Sequence, residues 1–193
     1  MTITTNIAPL PVRLREHDRA ALAVHFLALD SEDRRLRFGS PIGDATIGAY
    51  VERINFADDG VYAIQDDLLR VVAAIHVART GEAAELGLSV LPGYRGEHLG
   101  SALFARAVMH LRNRGIATVY VHCLAENATM MHLARKNRMR LSTDASESDG
   151  RLELEPGTPH SHVLEWLQDQ RALAIQAVRR QARLSRAILG LPI

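Results

Sequence analysis

The feature that most constrains the fold of this chain is the stretch of residues 84–100. It reads as an apolar strand, a glycine-rich turn and then the start of an amphipathic helix. The first N–H groups of a helix lack intrahelical partners, and the helix dipole favours negative charge there. Glycines let the backbone come close to such a ligand. This order of elements therefore predicts a site for a phosphate-bearing ligand.

The glycine spacing excludes two common nucleotide-binding loops. The phosphate loop of NTPases needs Gly-Lys followed by Ser or Thr, and the dinucleotide fingerprint needs G-x-G-x-x-G; neither is present. Residues 95–100, which read RGEHLG, instead resemble the acyl-CoA-binding motif of the GNAT acetyltransferase superfamily, Arg/Gln-x-x-Gly-x-Gly/Ala. His98 stands where that family usually has Gly.

Composition and charge exclude several classes of protein. A chain of 193 residues with 47% hydrophobic residues predicts one domain with a real core. The net charge of +1 argues against a general nucleic-acid partner. Cys123 is the single cysteine, and the nine histidines show no metal-ligand spacing, so we expect no metal site. With no signal segment or membrane-spanning run, we expect a cytoplasmic protein without a membrane partner.

The hydrophobic patterns predict a mixed α/β sheet. Strands are predicted at 12–15, 61–64, 69–78, 84–91, 118–124 and 151–155, and helices at 18–29, 32–38, 44–54, 98–114 and 127–137. Ser31 is the predicted cap of the second helix. Residues 143–150 are predicted to be an acidic, turn-rich loop. A strand–helix–strand crossover beside an antiparallel meander is the element order of the GNAT fold, a mixed and mostly antiparallel sheet flanked by helices.

The predicted organisation has three parts. Residues 1–9 form a flexible arm, residues 10–157 form the acetyltransferase domain, and residues 158–193 form a C-terminal amphipathic helix. The apolar stripe of that helix comprises Leu164, Leu167, Ala174, Ile175, Val178 and Ala182. Because a stripe beyond a complete domain must be buried somewhere, we expect a homodimer; packing on its own domain and lying on a membrane surface are the alternatives.

Glu85 is the candidate catalytic residue. It lies in an otherwise apolar strand, ten residues before Arg95. Partial burial would raise the pKa of its carboxyl group into the range useful for a general base, whereas an edge position would make it an ordinary surface residue. The resemblance favours the base, because an Ala-Glu pair at this strand position supplies it in GNAT protein acetyltransferases.

The resemblance implies acetyl-CoA as co-substrate. The backbone of Leu88, Ser89 and Val90 would bond the pantetheine arm. The pyrophosphate cradle would comprise Arg95, Gly96, His98, Leu99, Gly100 and Ser101. Asn127 is predicted either to cap the helix that it opens or to contact CoA, as family members do.

Three departures from the family pattern affect these expectations. We expect His98 to have a right-handed helical φ with its imidazole pointing outward; a proton-dependent contact to phosphate or a lost CoA site are the alternatives. Ala134 replaces a Tyr that often protonates the leaving thiolate, so the acid is open among water, His132, Cys123 and Tyr120. Residues 138–139 read Arg-Met where the family tends to have Gly-Phe.

The resemblance implies that the acceptor is a primary amine, either of a protein lysine or of a small molecule. Residues 29–38 resemble the start of the acetyltransferase domain of bacterial protein-lysine acetyltransferases. Asp144, Glu147 and Asp149 would either attract a cationic acceptor or form a solvated turn. We therefore predict an acetyl-CoA-dependent N-acetyltransferase that acts by direct attack in a ternary complex. A non-catalytic acyl-CoA-binding sensor or interaction domain is the alternative.

Overall fold

A computed structural model describes residues 10–188, so the predicted arm at 1–9 and the chain end at 189–193 lie outside the described residues. The strands are β1 Val12–Arg13, β2 Gly60–Gln65, β3 Val71–Thr80, β4 Ala83–Val90, β5 Thr118–Leu124, β6 Arg140–Asp144 and β7 Glu147–Glu153. The helices are α1 Arg19–Leu27, α2 Ser31–Phe38, α3 Asp44–Arg53, α4 Leu99–Asn113, α5 Ala128–Lys136 and α6 Pro159–Ile188.

The seven strands form one sheet in the order β1-β2-β3-β4-β5-β7-β6. Every neighbouring pair is antiparallel except β4 and β5, which are parallel because α4 crosses between them. The predicted mixed, mostly antiparallel sheet is confirmed. The parallel pair lies in the middle of the sheet, which places the glycine-rich loop between β4 and α4 at the centre of the molecule.

The sheet separates two hydrophobic layers. On one face, α4 buries Leu103 and Phe104, which lie on the same helical stripe and have no exposed surface. On the other face, α1 and α3 bury Leu22, Phe26 and Ile47. Alternate residues of β2 and β3 point to the two layers, as strand geometry requires. Each such buried side chain contributes ~1.5–3 kcal/mol to stability.

Two local predictions are wrong. Asp30, not Ser31, caps α2, because its side chain accepts the N–H of Asp33 at 2.8 Å. The segment predicted as an acidic loop is the β6–β7 hairpin, with its turn between Asp144 and Glu147. Acidic residues on an edge hairpin discourage pairing with another chain, so their presence is compatible with strand structure. Elsewhere, β1 and α1 end two residues earlier than predicted.

Helix α6 packs against α4 through ion pairs. The buried Arg106 of α4 donates to Glu165 at 3.0 Å and to Asp169 at 2.6 Å. His110 and Asn113 also hydrogen-bond Glu165, at 2.8 and 2.6 Å. Burial opposes ionisation of Glu165, but these three partners outweigh it and hold its pKa well below its usual range. The cationic side chain of Arg106 is therefore compensated inside the protein.

The face of α6 that contacts the domain is not the predicted apolar stripe. The inward row is Glu165, Asp169, Ala172, Gln176 and Arg179. The inward face is polar because the buried Arg106 of α4 selects carboxylates rather than leucines. The outward face carries Val163, Trp166, Leu167, Leu173 and Val178. Among residues 10–188, no helix is both long and apolar enough to span a membrane.

Candidate functional site

A cleft opens where β4 diverges from β5. The two strands pair only from Ala83 to Glu85 on β4, opposite Thr118 to Tyr120 on β5. Beyond these residues β5 pairs on its other side with β7 up to Leu124, while β4 continues beside β3. A cavity of about 440 Å³ occupies this divergence. It is lined by ten of the predicted site residues: Leu88, Ser89, Val90, Arg95, Gly96, His98, Leu99, Gly100, Ser101 and Asn127.

One end of the cavity is formed by the backbone at the start of α4. Gly96 has a φ of +84°, and α4 begins at Leu99 with no acidic residue in its first turn and no side-chain cap. The N–H groups of this first turn are therefore directed at the cavity end without an intrahelical partner. Lys136, the single lysine of the chain, bonds the Ser101 hydroxyl at 3.2 Å and adds a cation there. Sequence reasoning did not find this contact.

The backbone at His98 contradicts the predicted right-handed helical φ. His98 has a φ of +59° and a ψ of 15°, in the left-handed region, and its side chain is exposed. Glycine adopts this region without steric cost, which explains why the family usually has Gly here. His is among the residues that tolerate it best. The loop thus keeps the required backbone shape without the glycine.

Helix α2 lies across the cleft and is bonded to both sides of it. Asp33 forms an ion pair with Arg95 of the glycine-rich loop. On the other side, Asn127 donates to the carbonyl of Leu36 at 3.2 Å. The second carboxylate oxygen of Asp33 is buried and has no hydrogen-bond partner among the described residues. An acceptor that lacks a partner in a cavity wall is suited to a ligand that carries an N–H group.

Asn127 also caps α5. Its side-chain oxygen accepts the N–H of Met130 at 3.0 Å. Both side-chain atoms of Asn127 are therefore engaged within the protein, and the predicted capping is present. Ala134 is fully buried, so the cavity wall on this side comes from Met130 and Leu133.

Ser89 is held from behind by a buried histidine. Its hydroxyl bonds Nε2 of His25 at 2.8 Å, and Nδ1 of His25 bonds the carbonyl of Val71 at 3.0 Å. Burial lowers the pKa of His25 to about 4. At neutral pH His25 is therefore uncharged, with Nδ1 donating to the carbonyl and Nε2 accepting from the hydroxyl. Because the side chain of Ser89 is used in this way, its hydroxyl is not left for a ligand.

Glu85 lies outside the ten residues that line the cavity. It is the last β4 residue paired with β5, and its side chain is exposed, so the predicted partial burial is wrong. Residues two apart on a strand share a face, so Glu85, Gly87 and Ser89 point to the side of α1, α2 and α3. Glu85 thus lies where the divergence of β4 from β5 begins, on the face opposite to α4.

A hydrogen-bonded chain of side chains lies on the same face. Arg37 donates to the Tyr50 hydroxyl at 2.9 Å, which bonds Nδ1 of His76 at 2.7 Å. Nε2 of His76 in turn bonds Asp59 at 3.1 Å. Burial lowers the pKa of His76, although Asp59 opposes this shift. This network was not predicted from the sequence. The family resemblance of residues 29–38 could have indicated Arg37, but it includes none of the other three residues.

The candidate acids and metal ligands are more scattered. Cys123 and His132 line the cavity, whereas Tyr120 lies beside Glu85 on the sheet. Burial raises the pKa of the Cys123 thiol. Asp149 bonds His122 at 2.6 Å rather than lying free. In the part of the chain that the structure describes, no three His, Cys, Asp or Glu residues are grouped as a metal site would need.

Comparison with known proteins agrees with this geometry. A family model described as the acetyltransferase (GNAT) family matches residues 27–138, more than half of the chain. The chain belongs to the acetyltransferase (GNAT) family. It is an acyltransferase, an acetyl-CoA-dependent N-acetyltransferase in general terms, and its co-substrate is acetyl-CoA. No curated protein sequence matches the chain.

Solved acetyltransferase structures share the fold. The GNAT domain of S. lividans PAT has a TM-score of 0.65 at 17% identity, over 75% of this chain and 89% of that one. A phosphinothricin acetyltransferase from Sinorhizobium meliloti, solved with AcCoA, has a TM-score of 0.63 at 13% identity, over 79% and 91%. The ribosomal-protein-S18-alanine N-acetyltransferase of Escherichia coli has a TM-score of 0.55 at 18% identity, over 77% and 94%.

Proposed function

We propose that this acetyltransferase acetylates a primary amine by direct attack on the thioester, with Glu85 as the general base. The observation that carries the proposal is the convergence of ten predicted residues on one cavity, which lies where β4 and β5 separate just beyond Glu85. The volume of about 440 Å³ lies within the usual range of ligand pockets.

Acetyl-CoA fits the cavity in one orientation. The pyrophosphate would accept hydrogen bonds from the backbone of Gly96 and the first turn of α4, with Lys136 supplying positive charge. The pantetheine arm would follow the free side of β4 from Val90 to Leu88. There the unpaired carboxylate oxygen of Asp33 is an acceptor for an amide N–H group. This orientation brings the thioester to the part of the cleft nearest Glu85.

The reaction then needs one proton acceptor and one stabilised oxyanion. The amine nitrogen attacks the thioester carbonyl, a backbone N–H near Val90 stabilises the oxyanion, and Glu85 takes the proton from nitrogen directly or through water. The C–S bond breaks as the amide forms. The sulfur leaves as a thiolate and takes a proton from water or from a group in the cavity wall, where Cys123 and His132 lie.

The acceptor is a small amine or a protein amine. The similar proteins include both kinds: a phosphinothricin acetyltransferase and a ribosomal-protein-S18-alanine N-acetyltransferase. A protein lysine is the third candidate, from the resemblance of residues 29–38.

Replacement of the proposed base tests this function. We expect Glu85→Gln to lower kcat by ~100-fold or more while the Kd for acetyl-CoA stays the same. Glu82→Gln is the matched control, because Glu82 is exposed and precedes β4. Turnover would be followed as free CoA released with a panel of amines, and affinity by calorimetry. Full turnover in the Glu85 variant would contradict the role of base.

We also propose that a second copy of this chain covers the outward face of α6. Trp166 is 60% exposed and Val178 is 70% exposed, and the apolar row continues to Leu184. At ~1.5 Å per residue, the row from Val163 to Leu184 is about 31 Å long. An exposed apolar face of this length can be self-complementary when two helices cross antiparallel about a two-fold axis, which is the symmetry of most homodimers.

The dimer is tested by charge substitution rather than by removing α6, since removal would uncover the buried Arg106. The double variant Trp166→Glu, Val178→Glu should sediment at half the wild-type mass. Val24→Glu is the control, because Val24 is 66% exposed on α1. A wild-type protein that is a monomer at the concentrations used for catalysis would contradict the proposal.

A further inference from the structure

Arg37 occupies the acceptor side of the cleft. It lines the cavity from α2. Its guanidinium packs against Gly87 and occupies the space that a Cβ at this position would need. Gly87 is two residues past Glu85 on the same face of β4. The guanidinium therefore lies beyond the last residue paired with β5, where the cleft opens, and on the face that carries the proposed base.

The guanidinium is held in a fixed orientation. Its Cζ lies 4.8 Å from the ring centroid of Phe38 and 5.7 Å from those of Phe26 and Tyr50. Its hydrogen bond to Tyr50 begins a chain in which each group donates to the next: Tyr50 to His76, and His76 to Asp59. The neutral form of His76 fits this arrangement, because Nδ1 accepts from the Tyr50 hydroxyl and Nε2 donates to Asp59. A guanidinium fixed in this way is pre-organised for a ligand.

The charge of Arg37 has no carboxylate partner among residues 10–188. None of the ion pairs in this part of the chain includes it, and its Nε is buried without a hydrogen-bond partner. Its neighbours on α2 differ: Arg34 pairs with Asp44, and Arg35 pairs with Glu32 and Glu126. A half-buried cation with unused N–H donors in a cavity wall is suited to an anionic ligand group.

We propose that Arg37 binds the carboxylate of the acceptor, so that the acceptor is a small amino acid rather than a protein lysine. This inference rests on the proposed acetylation of an amine beside Glu85. The guanidinium lies over Gly87, two residues along β4 from Glu85 and on the same face, so one small acceptor can place its carboxylate at Arg37 and its amine towards Glu85. A guanidinium binds a planar carboxylate through two parallel hydrogen bonds. The same cation disfavours an isolated lysine ammonium group.

Matched acceptors test the proposal during turnover. Free amino acids would be compared with their carboxamides, which keep the amine and lose the carboxylate. We expect the wild-type enzyme to use the acids with ~10–100-fold higher kcat/KM. Arg37→Gln should remove this preference while the Kd for acetyl-CoA stays unchanged. Arg35→Gln, two residues away and on the opposite side of α2, should keep it. Equal use of acids and amides by the wild type would overturn the proposal.

A binding experiment separates this proposal from the proposed catalysis. N-acetylamino acids and their carboxamides would be titrated into the protein saturated with free CoA. We expect the wild type to bind the acids at least ~10-fold more tightly, and Arg37→Gln to bind both equally weakly. Equal affinity in the wild type overturns the carboxylate site. Selective binding of the acids without acetylation of any amine would leave that site standing and contradict the proposed function alone.

Discussion

The two ends of the cleft are built from different parts of the chain. The phosphate end is a contiguous run, residues 95–101, and it offers mainly backbone N–H groups. The acceptor end is made of the side chains of Arg37, Tyr50, Asp59 and His76, which come from two helices, a loop and a strand. A backbone site tolerates changes of side chain provided that φ and ψ are kept, whereas a side-chain network specifies each residue. We therefore expect the first end to be generic and the second to determine the acceptor.

The departures from the family pattern support this difference. His98 and Arg138 both stand where the family has Gly, and their φ angles are +59° and +58°. The backbone keeps the left-handed conformation at both positions, and the changes of side chain leave the loop and the end of α5 in place. The phosphate end has thus absorbed a change of residue without a change of shape.

The largest effect is expected from straining the loop. Gly96→Val places a β-branched residue at a φ of +84°, which costs ~1–3 kcal/mol and corresponds to an acetyl-CoA affinity lower by roughly 10–100-fold. Gly93→Val is the matched control, because Gly93 has no positive φ and no neighbour within 4 Å of an added Cβ. Calorimetric titration of both variants with acetyl-CoA measures the two affinities. Equal losses would mean that the φ of Gly96 is unimportant.

The next effect is a pH dependence from His25. Its folded pKa of about 4 lies below its ordinary value of 6.5, so the unfolded chain takes up the proton first. The stabilisation is full above pH 6.5 and is lost as pH falls towards 4. Between pH 7 and pH 5 the loss is about 2 kcal/mol. Between pH 7 and pH 5, the free energy of unfolding of the His25→Gln variant should fall by about 2 kcal/mol less than that of the wild type. Identical pH dependence in the two proteins would contradict a buried neutral His25.

A smaller effect is expected from loosening the acceptor end. Tyr50→Phe removes the hydroxyl between Arg37 and His76 but keeps the ring. Loss of one hydrogen bond, ~1 kcal/mol, should raise the KM of carboxylate acceptors by ~5–10-fold and leave the Kd for acetyl-CoA unchanged. Tyr62→Phe is the control, because the Tyr62 hydroxyl is buried without a partner in the opposite layer. If both affinities fall together, the two ends of the cleft are not separate.

The smallest effect concerns stability. His98→Gly relieves the left-handed strain and should raise the free energy of unfolding by ~0.5–1 kcal/mol, since part of the gain is offset by the flexibility of Gly in the unfolded chain. Arg114→Gly should act in the opposite direction, because Arg114 has a φ of −101°. Chemical denaturation measures both. A destabilised His98→Gly would show that the imidazole holds the loop.

Structural features that depend on short stretches of sequence were predicted well. The β4–loop–α4 stretch, the cap at Asn127 and the mixed sheet follow from periodicity, glycine spacing and capping chemistry over short windows. The φ of His98 was predicted wrongly because it was inferred from the residue type, His, and not from the left-handed conformation that this loop position requires.

Long-range side-chain pairing could not be predicted in the same way. The bond between Tyr50 and His76 joins residues 26 positions apart, and the one between Arg106 and Glu165 joins residues 59 apart. No periodicity connects them. For the same reason the polar face by which α6 packs on α4 was not predicted: the partner of Glu165 is a buried Arg on another helix, and a hydrophobic pattern carries no information about it.

We propose that phosphate and acceptor are held at opposite ends of one cleft, by backbone and by side chains respectively. A crystal structure with acetyl-CoA tests it most directly. We expect the pyrophosphate on the N–H groups of residues 96–101, and the acetyl group above Gly87 to Val90, between Glu85 and Arg37. An acetyl group directed away from Arg37, towards α5, would contradict it.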